Sequence, residues 1–212
     1  MKKINAFFKL TTLLIYLAIV YRILQIIFTL LTVIVVQKAL RGTEPGNNLD
    51  VIESVAAIDT IVANVITISL AVTFLGWFYL SYKKAQQHSH QSFSFKPMLA
   101  LFSFIIPILN LFAPYKIMHE IWAVQNRDPS QEEKGRKLIN LWWFLGLIIF
   151  FYYRYCKYRF NHITELQQFV TARYYYLLLY AISVHYLLSL IKLLRMINYE
   201  QNYQKEYQLE TA

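Results

Sequence analysis

"FIIPILNLFAPYKIMHEIW", residues 104–122, decides how this chain is laid out. The stretch is apolar enough for a bilayer, yet Pro107, Asn110 and Pro114 fall where a spanning helix would be cleanest. Each proline removes a backbone N–H and obstructs a helical turn, and the asparagine between them brings an amide that needs partners. Such a segment either crosses as a kinked helix or enters the membrane and returns on the side it left. Backbone broken at membrane depth is tolerated where protein or a wet cavity surrounds it.

The surroundings are those of a membrane protein. Of 212 residues, 57% are hydrophobic and 16% charged, whereas soluble domains carry about a quarter charged residues. The apolar residues come in blocks that predict helices over about 10–37, 51–84, 98–124 (broken), 138–156 and 160–197, followed by a polar tail, 198–212. Residues 1–197 read as one helical membrane domain. Phe160, Ile163, Leu166 and Val170 recur at helical spacing, which predicts an amphipathic helix leading directly into the last block. The N-terminus has the basic start and apolar run of a signal peptide without a small-residue cleavage site, so it reads as an uncleaved first helix. Cys156 is the only cysteine, so no intrachain disulfide is possible.

The net charge of +9 is spread around the apolar blocks instead of forming one stripe. That placement fits lipid headgroups and argues against nucleic acid. It also tests the topology. With five spans, ten basic residues fall on each side. If the third block returns, fourteen lie on the N-terminal side and six (Lys38, Arg41, Arg154, Lys157, Arg159 and Arg173) on the other. The positive-inside rule favours the second count, with a cytoplasmic N-terminus. The expected fold is therefore an all-α polytopic bundle of four spanning helices plus one proline-broken, re-entrant or kinked segment. Five spans is the alternative.

Residues 75–84 ("LGWFYLSYKK"), the quoted stretch and 138–147 ("LINLWWFLGL") resemble, in order and spacing, the bacterial multi-pass membrane family called domain of unknown function 4328. The resemblance rests on Trp77, Tyr79 and Tyr82, on the Pro107, Asn110, Pro114 core, on Glu120-Ile121-Trp122, and on Asn140 with Trp142-Trp143. It implies a bacterial inner-membrane location and supplies no activity.

Four polar residues are candidates for an intramembrane site: Arg22, Asn64, Asn110 and Glu120. An arginine near the bilayer centre costs about 2.5 to 3.5 kcal/mol on insertion scales, so Arg22 must snorkel or find a partner. Glu120 is the expected partner, while Asp59 is set aside as too far along the membrane normal. Ala57, Thr60, Asn64, Thr67 and Ala71 share one face of the second helix and predict close helix packing. Pro107, Pro114, Trp122, Trp142 and Trp143 read as structural. His185 reads as a buried imidazole. His88 and His90 lie in a polar loop without further ligands, so no metal site is expected. No phosphate loop, nucleophile elbow or paired-carboxylate spacing occurs. The sequence thus predicts no enzyme and no cofactor. It points to an interaction or structural component whose partners are the lipid bilayer and another membrane protein. The alternative is a small permease or channel with a polar site near Arg22, Asn64 and Asn110.

Overall fold

A computed structural model describes residues 2–42, 48–87, 89, 92–125 and 129–210. The protein is all-α. Seven helices follow in order: α1 (Lys2–Leu40), α2 (Asn48–Gln87), α3 (Pro97–Phe102), α4 (Pro107–Asn110), α5 (Ala113–Gln125), α6 (Pro129–Asn161) and α7 (Leu166–Glu210). Among the described residues, four helices are long and apolar enough to cross a membrane, namely α1, α2, α6 and α7. With 39 residues α1 is about 60 Å long, twice the hydrocarbon thickness, so it is tilted or projects beyond it.

The broken segment contains no such helix. Its three helices have 6, 4 and 13 residues, against the roughly 20 a span requires. The prolines explain the breaks by starting helices instead of kinking one. Pro97 and Pro107 are each the first residue of a helix, and Lys96 and Ile106 before them are extended. A residue before proline is driven out of the α region, while proline at a first helical position loses no intrahelical bond. Pro114 is the second residue of α5.

The chain folds into two compact units. Residues 1–15, 69–144 and 188–212 form the first, and residues 16–68 and 145–187 the second. Each of the four long helices gives one end to each unit. All of α3–α5 belongs to the first unit, with the last part of α2 before it and the first part of α6 after it.

Unit 1 is built on aromatics. Phe74, Trp77 and Phe78 of α2 and Trp142 of α6 are buried. Phe104 meets Phe74 and Phe78 edge-on, with centroids 5.8 and 5.2 Å away, and Trp142 lies 6.3 Å from Phe74. Trp122 of α5 is buried against Gly135 of α6, where an added Cβ would overlap the indole. Its Nε1 donates to the Glu132 carbonyl at 3.3 Å. In contrast, Ile105, Ile108, Leu111 and Phe112 around α4 are exposed.

Helix α1 shows how such a chain sorts its side chains. Its buried residues include Ile4, Thr11, Ile15, Ala18, Gln25, Thr29, Thr32 and Val36, a seam of three-, four- and seven-residue steps. Much of this seam is polar. The opposite face, with Leu13, Leu17, Val20, Leu24, Leu31 and Ile34, is exposed aliphatic surface. Between helices in lipid, small and polar residues make the contacts, because lipid is as apolar as leucine. Helix α2 follows the same logic and overturns the expected packing face. Ala57, Thr60, Asn64, Thr67 and Ala71 are all exposed, while Ala56, Asp59, Ala63 and Ile66 are at least half-buried.

The stretch after residue 156 is not one helix running into the last span. Residues 162–165 break the chain, and α7 starts at Leu166. The Gln168 side chain reaches back to accept the Thr164 N–H at 3.0 Å, which fixes the start of α7. Phe160 therefore closes α6, and Val170 joins Val33 and Val36 of α1 in a small core of unit 2. Helix α7 then runs on through the expected tail to Glu210.

Candidate functional site

The densest polar cluster among the described residues lies in unit 2, on α1, α2 and α7. Asp59 is half-buried and about 16 Å along α2 from its start. The Gln25 amide donates to both of its carboxylate oxygens at 3.1 Å. The Tyr21 hydroxyl bonds the same carboxylate and lies 2.7 Å from the Asp59 carbonyl. Arg22 donates from Nη1 to Gln25 Oε1 at 2.5 Å, and its Cζ stands 5.5 Å from the centre of the Tyr180 ring.

The Gln25 amide is thus held at both ends, its oxygen by a cation and its nitrogen by an anion. It links guanidinium to carboxylate where no direct ion pair forms. Bonds to charged groups are the stronger kind and are worth more away from water. Arg22 interrupts α1 at the seam step between Ile15 and Thr29, so it faces protein and has no need to snorkel.

Beside the network, α1 and α2 form an open groove of about 370 Å³. Leu24, Ile27, Phe28, Leu31, Val55, Ile58 and Val62 line its apolar walls, with Tyr21, Gln25 and Asp59 at its polar part.

Unit 1 holds two further polar clamps, both on α5. Glu120 accepts from the Tyr82 hydroxyl at 2.7 Å and from the Ser94 N–H at 3.1 Å. The Phe95 N–H donates to the Tyr82 oxygen at 3.3 Å, and Gln86 donates to the Phe95 carbonyl at 2.7 Å. The chain leading into α3 is thereby pinned to α2 and α5 together. One turn away, Asn140 Oδ1 accepts from Tyr115 at 3.0 Å and faces His119 Nε2 at 3.1 Å. Burial lowers the His119 pKa; the Asn140 bond opposes that shift and Arg136 adds to it.

The four expected site residues divide between the units, Arg22 and Asn64 in unit 2 and Asn110 and Glu120 in unit 1. Within its own unit Glu120 is held by Tyr82 and Ser94, and within its own Arg22 reaches Asp59 through Gln25. Asn64 is exposed and Asn110 half-buried, and neither side chain has a hydrogen bond among the described residues. The Asn110 N–H bonds the Ile106 carbonyl at 2.8 Å, so the break is satisfied by backbone without the amide. Pro107 and Pro114 act as helix starters, Trp122 and Trp142 are buried, and the Trp143 ring lies 5.6 Å from that of Trp142 at a tilt of 51°. His185 is exposed. Cys156 is buried. His88 and His90 lie outside the described residues.

Sequence reasoning missed Tyr21, Gln25 and Asp59. The signal was present in the seven-residue steps Ala18, Gln25, Thr32 and Ile15, Arg22, Thr29, which place Gln25 and Arg22 on one seam.

No cluster of three or more metal-ligating side chains occurs among the described residues. No curated protein and no solved structure gives a significant match to the chain. A family model described as a domain of unknown function, DUF4328, matches residues 46–199. That match takes in the proline-broken segment, the Tyr82–Glu120 clamp and Asp59, and the chain belongs to the DUF4328 family.

Proposed function

We propose that this chain is a non-enzymatic component of a bacterial inner membrane that acts by association within the bilayer, with its N-terminus in the cytoplasm. In this reading α3–α5 dips into the membrane from the cytoplasmic side and returns. The observation that carries it is that the carboxylates and the amide of the three polar clusters are each held by structural hydrogen bonds. Asp59 is held by Tyr21 and Gln25, Glu120 by Tyr82 and Ser94, and Asn140 by Tyr115 and His119. What lies exposed instead is aliphatic surface, including the α1–α2 groove and the apolar tip at Ile105 and Ile108. That the end of α2, all of α3–α5 and the start of α6 share unit 1 supports the dip.

Cysteine accessibility tests both parts. In a Cys156→Ser background, Asn64→Cys and Asn110→Cys are expected to resist a water-soluble maleimide in intact membranes. Rapid labelling of both would favour a polar conduit, the permease reading. Single cysteines at Gln91 and Gln131 are expected to share one side. Labelling of Gln131→Cys alone from outside intact cells would show that the third block crosses.

A further inference from the structure

Arg173 is a half-buried basic group of unit 2 that makes no hydrogen bond to the Asp59 network. It lies on α7 about 10 Å from the helix start, within a membrane-spanning helix. Its guanidinium rests over two rings, with Cζ 4.7 Å from the centre of Phe169 and 5.8 Å from that of Phe160. Phe160 closes α6 and Phe169 opens α7, so the bed is built by both sides of the 162–165 turn. The Nε atom is buried and has no hydrogen-bond partner.

Among the described residues no carboxylate pairs with Arg173. The ion pairs Arg136–Glu132 and Lys137–Glu133 are exposed and at the start of α6. The carboxylate oxygens of Asp59, in the same unit, are taken by Tyr21 and Gln25. Arginine carries five N–H donors in a planar fork and no acceptor. Held on aromatic faces within a span, that fork is incomplete without an anion.

We propose that Arg173, on its Phe160–Phe169 bed, binds a phosphate-class anion, supplied by the headgroup of an anionic phospholipid. A guanidinium takes two phosphate oxygens side by side, which an ammonium cannot do. At about 10 Å from the helix start, a long arginine reaches the boundary between acyl chains and headgroups. Lys157 and Arg159, at the end of α6, add positive charge near the turn and raise the local concentration of anionic lipid. The proposal is independent of the association reading above, since it concerns neither the groove nor the broken segment.

Thermal melting of the purified full chain in neutral detergent tests it, with phosphatidylglycerol, phosphatidylcholine or inorganic phosphate added. Phosphatidylglycerol is expected to raise the midpoint more than phosphatidylcholine. Arg173→Gln is expected to raise the half-saturating phosphatidylglycerol concentration roughly tenfold, with Arg173→Lys in between. Bound lipid counted by native mass spectrometry gives the same comparison should Arg173→Gln melt poorly. A Lys157→Gln/Arg159→Gln double variant is expected to keep most of the lipid preference. Loss of the preference in that variant but not in Arg173→Gln would assign it to diffuse surface charge and overturn the proposal. Equal stabilisation by both lipids would overturn it as well. Saturation by millimolar inorganic phosphate alone would keep the anion site and exclude the lipid as its source.

Discussion

Tyr82 and Glu120 are 38 residues apart in sequence and joined by a hydrogen bond of 2.7 Å. The same hydroxyl oxygen accepts the Phe95 N–H, so one fully buried side chain ties α2, the approach to α3 and α5 into one joint. Tyr82→Phe removes a donor and an acceptor together and is expected to cost about 1–3 kcal/mol. Glu120→Gln keeps an acceptor for Tyr82 and is expected to cost less. Melting of the two single variants and the double variant in detergent checks this. The costs are expected to be less than additive, because both changes act on the same bond.

Asp59 gives a second contrast, between losing charge and losing hydrogen bonds. Asp59→Asn keeps an acceptor for Tyr21 and Gln25 and is expected to be mild. Asp59→Leu leaves both donors unanswered, at about 1–3 kcal/mol for each group stranded. A lower melting midpoint for Asp59→Leu than for Asp59→Asn is the expected order. The reverse order would show that the carboxylate's charge is a burden the network merely tolerates.

Gly135 is required by its neighbour. A methyl there meets the Trp122 indole, which is buried and has nowhere to move. Gly135→Ala is expected to lower stability by about 1–3 kcal/mol through overpacking, despite alanine's better helix propensity. Trp122→Phe frees the space of the larger ring and is expected to recover much of the loss when combined with Gly135→Ala. Denaturation of the single and paired variants decides it.

The His119 clamp carries a pH dependence whose sign follows from burial. Its pKa in the folded chain lies below the ordinary 6.5, so the unfolded chain takes up the proton first as pH falls. Stability from this group is therefore complete above about pH 6.5 and declines through the lowered folded value. Midpoints measured from about pH 8 to 5 are expected to fall on the acid side. His119→Gln keeps a donor for Asn140 and is expected to flatten that limb. An unchanged acid limb in the variant would assign it to the carboxylates.

The spans and the break could be read from the chain because both depend on local chemistry. Long apolar runs specify helices that cross, and Pro97, Pro107 and Pro114 set where three short helices begin. The site was harder, for two physical reasons. In a soluble helix the apolar stripe marks the inward face, but α2 is apolar nearly all round. The stripe through Asn64 therefore gave no sign of which way it turned, and it faces outward. The partner of Arg22 depended on how helices pair, which helical spacing within a single segment leaves open. Asp59 reads as too far along the membrane normal because the expected second helix begins at Val51. Helix α2 starts at Asn48, and Asp59 lies three turns in.

The mixed character of α1 also divides the work of biogenesis. Its outer aliphatic face is what a translocon would partition into lipid, and it offsets the insertion cost of carrying Arg22 and Gln25. The seam contributes nothing at that step and becomes useful only when α2 delivers Asp59. Insertion and assembly thus draw on different sets of residues in one helix, and the α1–α2 hairpin is the smallest piece of chain in which Gln25 reaches both its cation and its anion.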